Sequence, residues 1–150
     1  MGENFALYST RWSELPEAQM LQLAGEVRPE VYEAPRGRTF FYSWPDLVIR
    51  CSEMPKADLA SHLSGFAGYV TKISRGRCED RGRALIERIK GTKLVVGVEI
   101  EPGRDREGRA EELIGKLCNG LAPIMFFENA LYDWDGRLLL GPDGSFDSQL

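Results

Sequence analysis

Residues 93–140 constrain the fold more than any other part of the chain, because they read in succession as strand, helix, strand, tight turn and strand. In Leu94-Val95-Val96-Gly97-Val98-Glu99-Ile100, alternation sets Leu94, Val96, Val98 and Ile100 on one face and Val95, Gly97, Glu99 and Glu101 on the other. The apolar start predicts a central strand and the acidic end an emergence into water. Pro102-Gly103 closes the strand. A helix is predicted over 106–119, with Ala110, Leu113, Ile114 and Leu117 inward and Asn119-Gly120 as its stop. Residues 124–127 are almost continuously apolar and read as the next strand. Segments 130–132 and 137–140 flank Asp133-Trp134-Asp135-Gly136, and Asp-Gly is a strong hairpin signal.

The first half is less sharply patterned. Residues 5–8 form a short apolar run that reads as an edge strand. Ser13 is a good N-cap, followed by an apolar stripe through Leu15, Met20, Leu21, Leu23 and Ala24 up to Gly25, a helix stop. Residues 28–38, with two prolines, a glycine and mixed charge, read as a loop. Residues 39–51 read as a hairpin turning at Trp44-Pro45-Asp46, where proline presets φ. Its Phe40, Tyr42 and Trp44 share one face, expected in the core, with a stacking platform for a base or sugar as the functional alternative. From Lys56 or Asp58, the apolar residues Leu59, Leu63, Phe66, Val70 and Ile73 recur at helical spacing. His62, beside this stripe, reads as structural. Gly65 and Gly68 each lower helix propensity by about 1 kcal/mol, and are expected to allow close packing on a sheet. A second helix is predicted over 79–90, with Leu85, Ile86 and Ile89 apolar. Interleaved helices and hairpins predict an α+β fold: a mixed, largely antiparallel sheet with helices packed on one face, a two-layer sandwich. The whole chain, 1–150, reads as a single domain with a loose polar tail from about 141.

Composition sets bounds on function. With 43% apolar and 28% charged residues, the chain has the make-up of a folded globular protein. No run approaches the ~18 apolar residues of a membrane span, so no membrane contact is expected. The first ten residues carry no basic and apolar leader, which predicts a cytoplasmic location. Cys51, Cys78 and Cys118 form no C-x-x-C pair, and His62 is the only histidine, so buried reduced thiols are expected rather than a zinc site. Net charge is −4, yet residues 71–93 hold eight Lys/Arg against three Asp/Glu, and residues 94–150 hold five against eleven. The overall acidic balance argues against nucleic acid as a partner. The basic segment is free to meet an acidic partner, or the acidic part of the same molecule.

Three groups of residues could carry chemistry. Glu99 and Glu101, two apart on a strand, point the same way about 7 Å apart. Glu128 ends a neighbouring strand, with Asp105, Asp133 and Asp135 in nearby loops. Clustered carboxylates hold hard cations or shift one another's pKa; the structural alternative is a solvated strand end paired with Arg104 or Arg106. Asp133-Trp134-Asp135-Gly136 matches part of a calcium loop, but lacks a third oxygen ligand before the glycine and has Gly144 where the bidentate glutamate belongs, so it reads as a turn. The third group is Arg81-Gly82-Arg83-Ala84, at the opening of a helix, where backbone N–H groups favour anions. It resembles the pyrophosphate-binding loop of the acetyl-CoA-dependent N-acetyltransferase family, Arg/Gln-x-x-Gly-x-Gly/Ala. Gly82 and Ala84 match, and Glu79 departs from the pattern at the Arg/Gln position. The resemblance covers about six residues and implies an acyl-CoA donor held by residues 81–84.

No Ser-His-Asp set, G-x-S-x-G, P-loop or G-x-G-x-x-G is present. A complete small-domain pattern without a coherent catalytic set predicts a non-enzymatic protein-binding or regulatory module, without a cofactor. It would meet a protein partner through its basic helical segment or its acidic strand end. The alternatives are a small acyl-CoA-dependent N-acyltransferase using Gly82 and Ala84, and a carboxylate metal site at Glu99, Glu101 and Glu128. The pattern does not specify an oligomeric state.

Overall fold

The computed structural model describes residues 3–25, 27–34, 37–75, 79–101 and 108–142. Its elements, in chain order, are β1 (Glu3–Ser9), α1 (Glu17–Gln22), β2 (Glu30–Ala34), β3 (Gly37–Trp44), β4 (Leu47–Glu53), α2 (Lys56–Ile73), α3 (Glu79–Lys90), β5 (Leu94–Glu101), α4 (Arg109–Leu121), β6 (Ile124–Phe127), β7 (Ala130–Tyr132) and β8 (Leu138–Leu140). The strands form one eight-stranded sheet in the order β2-β3-β4-β5-β1-β6-β7-β8, and each neighbouring pair is antiparallel. The α+β class and the antiparallel sheet expected from the sequence are therefore present.

Two expectations about the first half change. Residues 5–8 belong to a seven-residue strand in the middle of the sheet, paired with β5 on one side and β6 on the other, rather than at an edge. Residues 28–38 are not a loop, because β2 occupies Glu30–Ala34 and β3 begins at Gly37. As the outermost strand, β2 needs a partner on one side only, so its charged residues and nearby prolines are tolerated. Of the tail expected from about 141, Gly141 is buried, and residues 143–150 lie outside the described residues.

Alternation along the strands separates two apolar clusters. On the first face Leu7, Phe40, Tyr42, Ile49, Cys51, Val96, Val98 and Ile100 pack with Met20 of α1 and with Leu113 and Leu117 of α4. On the second face Tyr8, Val95 and Ile124 pack with Leu63, Phe66 and Val70 of α2 and Leu85 and Ile89 of α3. Helices α1 and α4 cover the first face, and α2 with α3 cover the second over the β1/β6–β8 end. The physical reason is visible on β5, where Val95 is buried on the second face, Glu99 is half-buried, and Gly97 and Glu101 are exposed.

Polar contacts fix the joints. Glu53 at the end of β4 accepts the Leu15 N–H at 2.7 Å and the Arg38 Nε at 2.8 Å, while Arg38 donates to the Leu15 carbonyl at 2.5 Å. Burial pushes the Glu53 carboxyl up, but Arg38 and the Leu15 amide outweigh it and hold the group below the usual carboxylate range. Gly37 is required here: its φ is +113°, and a Cβ would stand 2.8 Å from the Glu53 carbonyl oxygen. Ser9, fully buried, donates its hydroxyl to the Leu121 carbonyl at 2.8 Å and ties β1 to the end of α4. That helix starts at Arg109 and runs through the expected Asn119-Gly120 stop to Leu121, leaving the left-handed cap to Ala122 at φ 45°. Gly65 and Gly68 do not face the sheet either; both are exposed, with nothing within 4 Å of an added Cβ.

Candidate functional site

The fold separates the predicted carboxylates more than it gathers them. Glu99 lies on the second face opposite Asn4 of β1 and Arg50 of β4, and forms an ion pair with the Arg50 guanidinium. Its partner thus comes from the neighbouring strand; Arg104 and Arg106, like Asp105, lie outside the described residues. Glu101 is exposed and opposite Val48. Glu128 sits in the β6–β7 turn at φ 51°. Because β1 separates β5 from β6, Glu128 stands two strand spacings, about 9.5 Å, from β5. A hollow of about 640 Å³, bordered by Asn4, Ala6, Gly97, Phe126 and Asn129, has both Glu99 and Glu128 in its lining but not Glu101. Among the described residues, no group of three or more His, Cys, Asp or Glu side chains is placed to hold a metal ion. Asp133 is instead committed to Arg88 at 3.2 Å, Arg137 at 3.4 Å and the Trp134 amide at 2.9 Å. Its partial burial favours the neutral acid, and these partners, Arg88 foremost, outweigh that and hold the carboxyl low. The Arg88 pair is one place where the basic helical segment meets the acidic part of the same chain.

The stretch Arg81–Ala84 lies inside α3, which begins at Glu79. Gly82 is buried in the helix, and Arg83 donates to Asp80 at 2.7 Å. The element before it is α2, so a helix stands where the resembled acyltransferase loop would follow a strand. Cys51, Cys118 and the histidine also take structural places, while Cys78 lies outside the described residues. Burial raises Cys51 to about 12 and Cys118 to about 11, which leaves almost no thiolate at neutral pH. The Tyr8 hydroxyl and His62 Nε2 share a hydrogen bond of 2.8 Å, and the Tyr8, His62 and Phe66 rings stack. These contacts attach α2 to β1. Of the predicted aromatic triplet, Phe40 and Tyr42 are fully buried, and the Tyr42 hydroxyl donates to the Met20 carbonyl at 2.6 Å.

Two further surfaces stand out among the described residues. The first is the second face of β2–β5. Register aligns Glu30, Phe41, Arg50, Glu99 and Asn4 in one row, and Tyr32, Thr39, Ser52, Gly97 and Ala6 in the next. From β2 to β5 none of these residues is buried; Tyr32 is 52% exposed, and Gly97 has nothing within 4 Å of an added Cβ. Tyr32 meets Phe41 edge-on at 5.1 Å, and the Arg50 guanidinium lies 5.6 Å from the Phe41 ring centre. The Tyr32 hydroxyl donates to Glu30 at 2.6 Å. Phe40, Tyr42 and Trp44 share the core-facing side of the strand, and the other side carries Phe41, half-buried on the open face.

The second surface is a cavity of about 710 Å³ on the first face, between α4 and the β1/β6 strands, flanked by the β7–β8 turn. Phe5, Ile114, Met125, Phe127 and Trp134 line it, with Gly115 on the helix side. Sequence reasoning did not reach this site. Its available signals were a mid-helix glycine, Gly115, and a tryptophan in a turn, Trp134. Comparison with protein-family models, curated proteins and solved structures gives no match.

Proposed function

We propose that this chain is a non-enzymatic protein-binding module whose contact surface is the open second face of β2–β5. The observation that supports it is the row Glu30–Phe41–Arg50–Glu99: an aromatic ring and an arginine in the middle of a wide, uncovered sheet face. Aromatic and arginine side chains dominate the energetics of protein interfaces, and they act best when ringed by polar groups such as Thr39 and Ser52 here. Three strand spacings make this face about 14 Å wide, a better match to a protein surface than to a small molecule. Glu30, Glu99 and Glu101 outnumber Arg50 on it, which favours a partner with a basic contact region.

The test is photo-crosslinking from position 32 in the full chain, repeated with Phe41→Ala and with Glu99→Gln/Glu101→Gln. The reading expects one crosslinked protein that is lost with Phe41→Ala and weakened by the double charge change. Crosslinks that persist in both variants, together with efficient turnover of a metabolite by the purified chain, would falsify it.

A further inference from the structure

From the cavity between α4 and the β1/β6 strands, we infer a second binding site, for a small molecule with an apolar body and a protonated amine. It opens on the opposite face of the sheet from the proposed protein contact, where Ile100 and α4 pack, and shares only Glu3, Phe5 and Phe127 with the lining of the hollow at Glu99. Its volume of about 710 Å³ falls within the ~300–1,000 Å³ of sites that enclose such ligands.

The lining explains both halves of the ligand. Phe5, Ile114 and Met125 pack against the core yet stay only half-buried, as does Phe127, because all four face the cavity. Phe5 and Phe127 meet edge-to-face at 6.1 Å and 88°, which fixes one apolar wall. On the other side Gly115 presents no side chain, and an added Cβ would meet nothing within 4 Å. A glycine inside a helix costs about 1 kcal/mol relative to alanine, and here it leaves room rather than permitting a close backbone contact. The charged residues in the lining, Glu3, Glu111 and Asp135, are all acidic and all exposed, so they lie at the mouth. Among the described residues lining the cavity there is no Lys, Arg or His. Trp134, 49% exposed beside Asp135, adds an indole face that attracts a cation. An anion of the same shape would meet the Glu3 carboxylate and that of Asp135, which also accepts the Arg137 amide at 3.0 Å.

The experiment uses a shape-matched pair, 2-naphthylethylamine and 2-naphthylacetate, titrated by ¹H–¹⁵N NMR into the full chain. The expected result is amine binding at least about tenfold tighter than acid binding, with shifts centred on the amides of Gly115 and Gly136 and the Trp134 indole. Gly115→Leu fills the space and should abolish binding while the remaining spectrum is unchanged. Trp134→Ala, in an exposed turn, provides a second loss of affinity should Gly115→Leu misfold. Glu3→Gln/Asp135→Asn should bring the amine down toward the acid. Equal affinities, no binding of the amine at about 1 mM, shifts centred elsewhere, or unchanged binding to Gly115→Leu or Trp134→Ala would each overturn the inference.

Discussion

The two faces of this sheet do different work, and β5 shows the division within a single strand. Leu94, Val96, Val98 and Ile100 are all buried on the first face. On the second, burial ends after Val95, and Gly97, Glu99 and Glu101 are left to solvent or to Arg50. One face is a continuous core from β3 to β6 beneath α1 and α4. The other is core only under α2 and α3, and is open from β2 to β5. A strand covered on both sides at one end and on one side at the other cannot read as a uniform pattern. The surface left uncovered is where aromatic and charged residues are available for binding.

The sharpest way to break this comparison is to cut adjacent aromatic residues on opposite faces. Phe40→Ala should cost about 3–5 kcal/mol, because it empties a fully buried site. Phe41→Ala should cost about 1 kcal/mol or less, because its half-buried ring meets Tyr32 and Arg50 on the open face rather than the core. Urea unfolding measures both; equal losses would mean that the second face is as well covered as the first.

The next effect concerns the joint that holds α1 over the first face. The Glu53 and Arg38 side chains are only 9% and 18% exposed, so Glu53→Gln should cost about 2–4 kcal/mol. The pH dependence has a definite sign. The folded-state pKa of Glu53 lies below its ordinary value, so its contribution is complete above the unfolded-state pKa and is lost as pH falls through the lower folded value. Between about pH 5 and pH 3 the native chain should therefore lose more stability than Glu53→Gln. Parallel acid titrations monitored by circular dichroism would show this, and coincident curves would remove Glu53 as the source.

Smaller effects sharpen the picture on the solvent side. Gly65→Ala and Gly68→Ala should each raise stability by about 0.5–1 kcal/mol, since both sites are helical and open. A loss on thermal unfolding would mean that α2 is approached on that side. Smallest of all, Glu99→Gln should change stability by about 0.5 kcal/mol or less, because Arg50 and Glu99 are 40% and 44% exposed and screened by solvent. Its effect should vanish at high salt.

Much of this architecture was legible in the chain. β5 was readable from its run of β-branched residues, the β3–β4 hairpin from Pro45-Asp46, and the last hairpin from Asp135-Gly136, where Gly136 adopts φ 88°. What was hidden depended on neighbours. The run at 5–8 does not disclose that β5 and β6 close on it from both sides. β2 was masked because an outer strand tolerates Glu30, Glu33 and flanking prolines. Gly120 resembled a stop, but Ser9 and the core hold the last turn of α4 to Leu121. The site candidates fared similarly. Spacing correctly set Glu99 and Glu101 on one face, but it could not show that Arg50 answers Glu99 or that β1 separates both from Glu128. The α4 cavity depends on a helix, a central strand and a distant turn meeting in space, which no local pattern encodes.

The most direct test of the open second face uses Gly97→Cys in a Cys78→Ser chain. Gly97 pairs with Ser52 at the centre of that face, while the native Cys51 pairs with Val98 and points into the core beneath the other. With a small disulfide reagent, one thiol per chain, at position 97, should react promptly, while Cys51 and Cys118 stay silent until denaturant is added. If the introduced thiol is as unreactive as Cys51, the face is covered and the binding surface assigned to it does not exist.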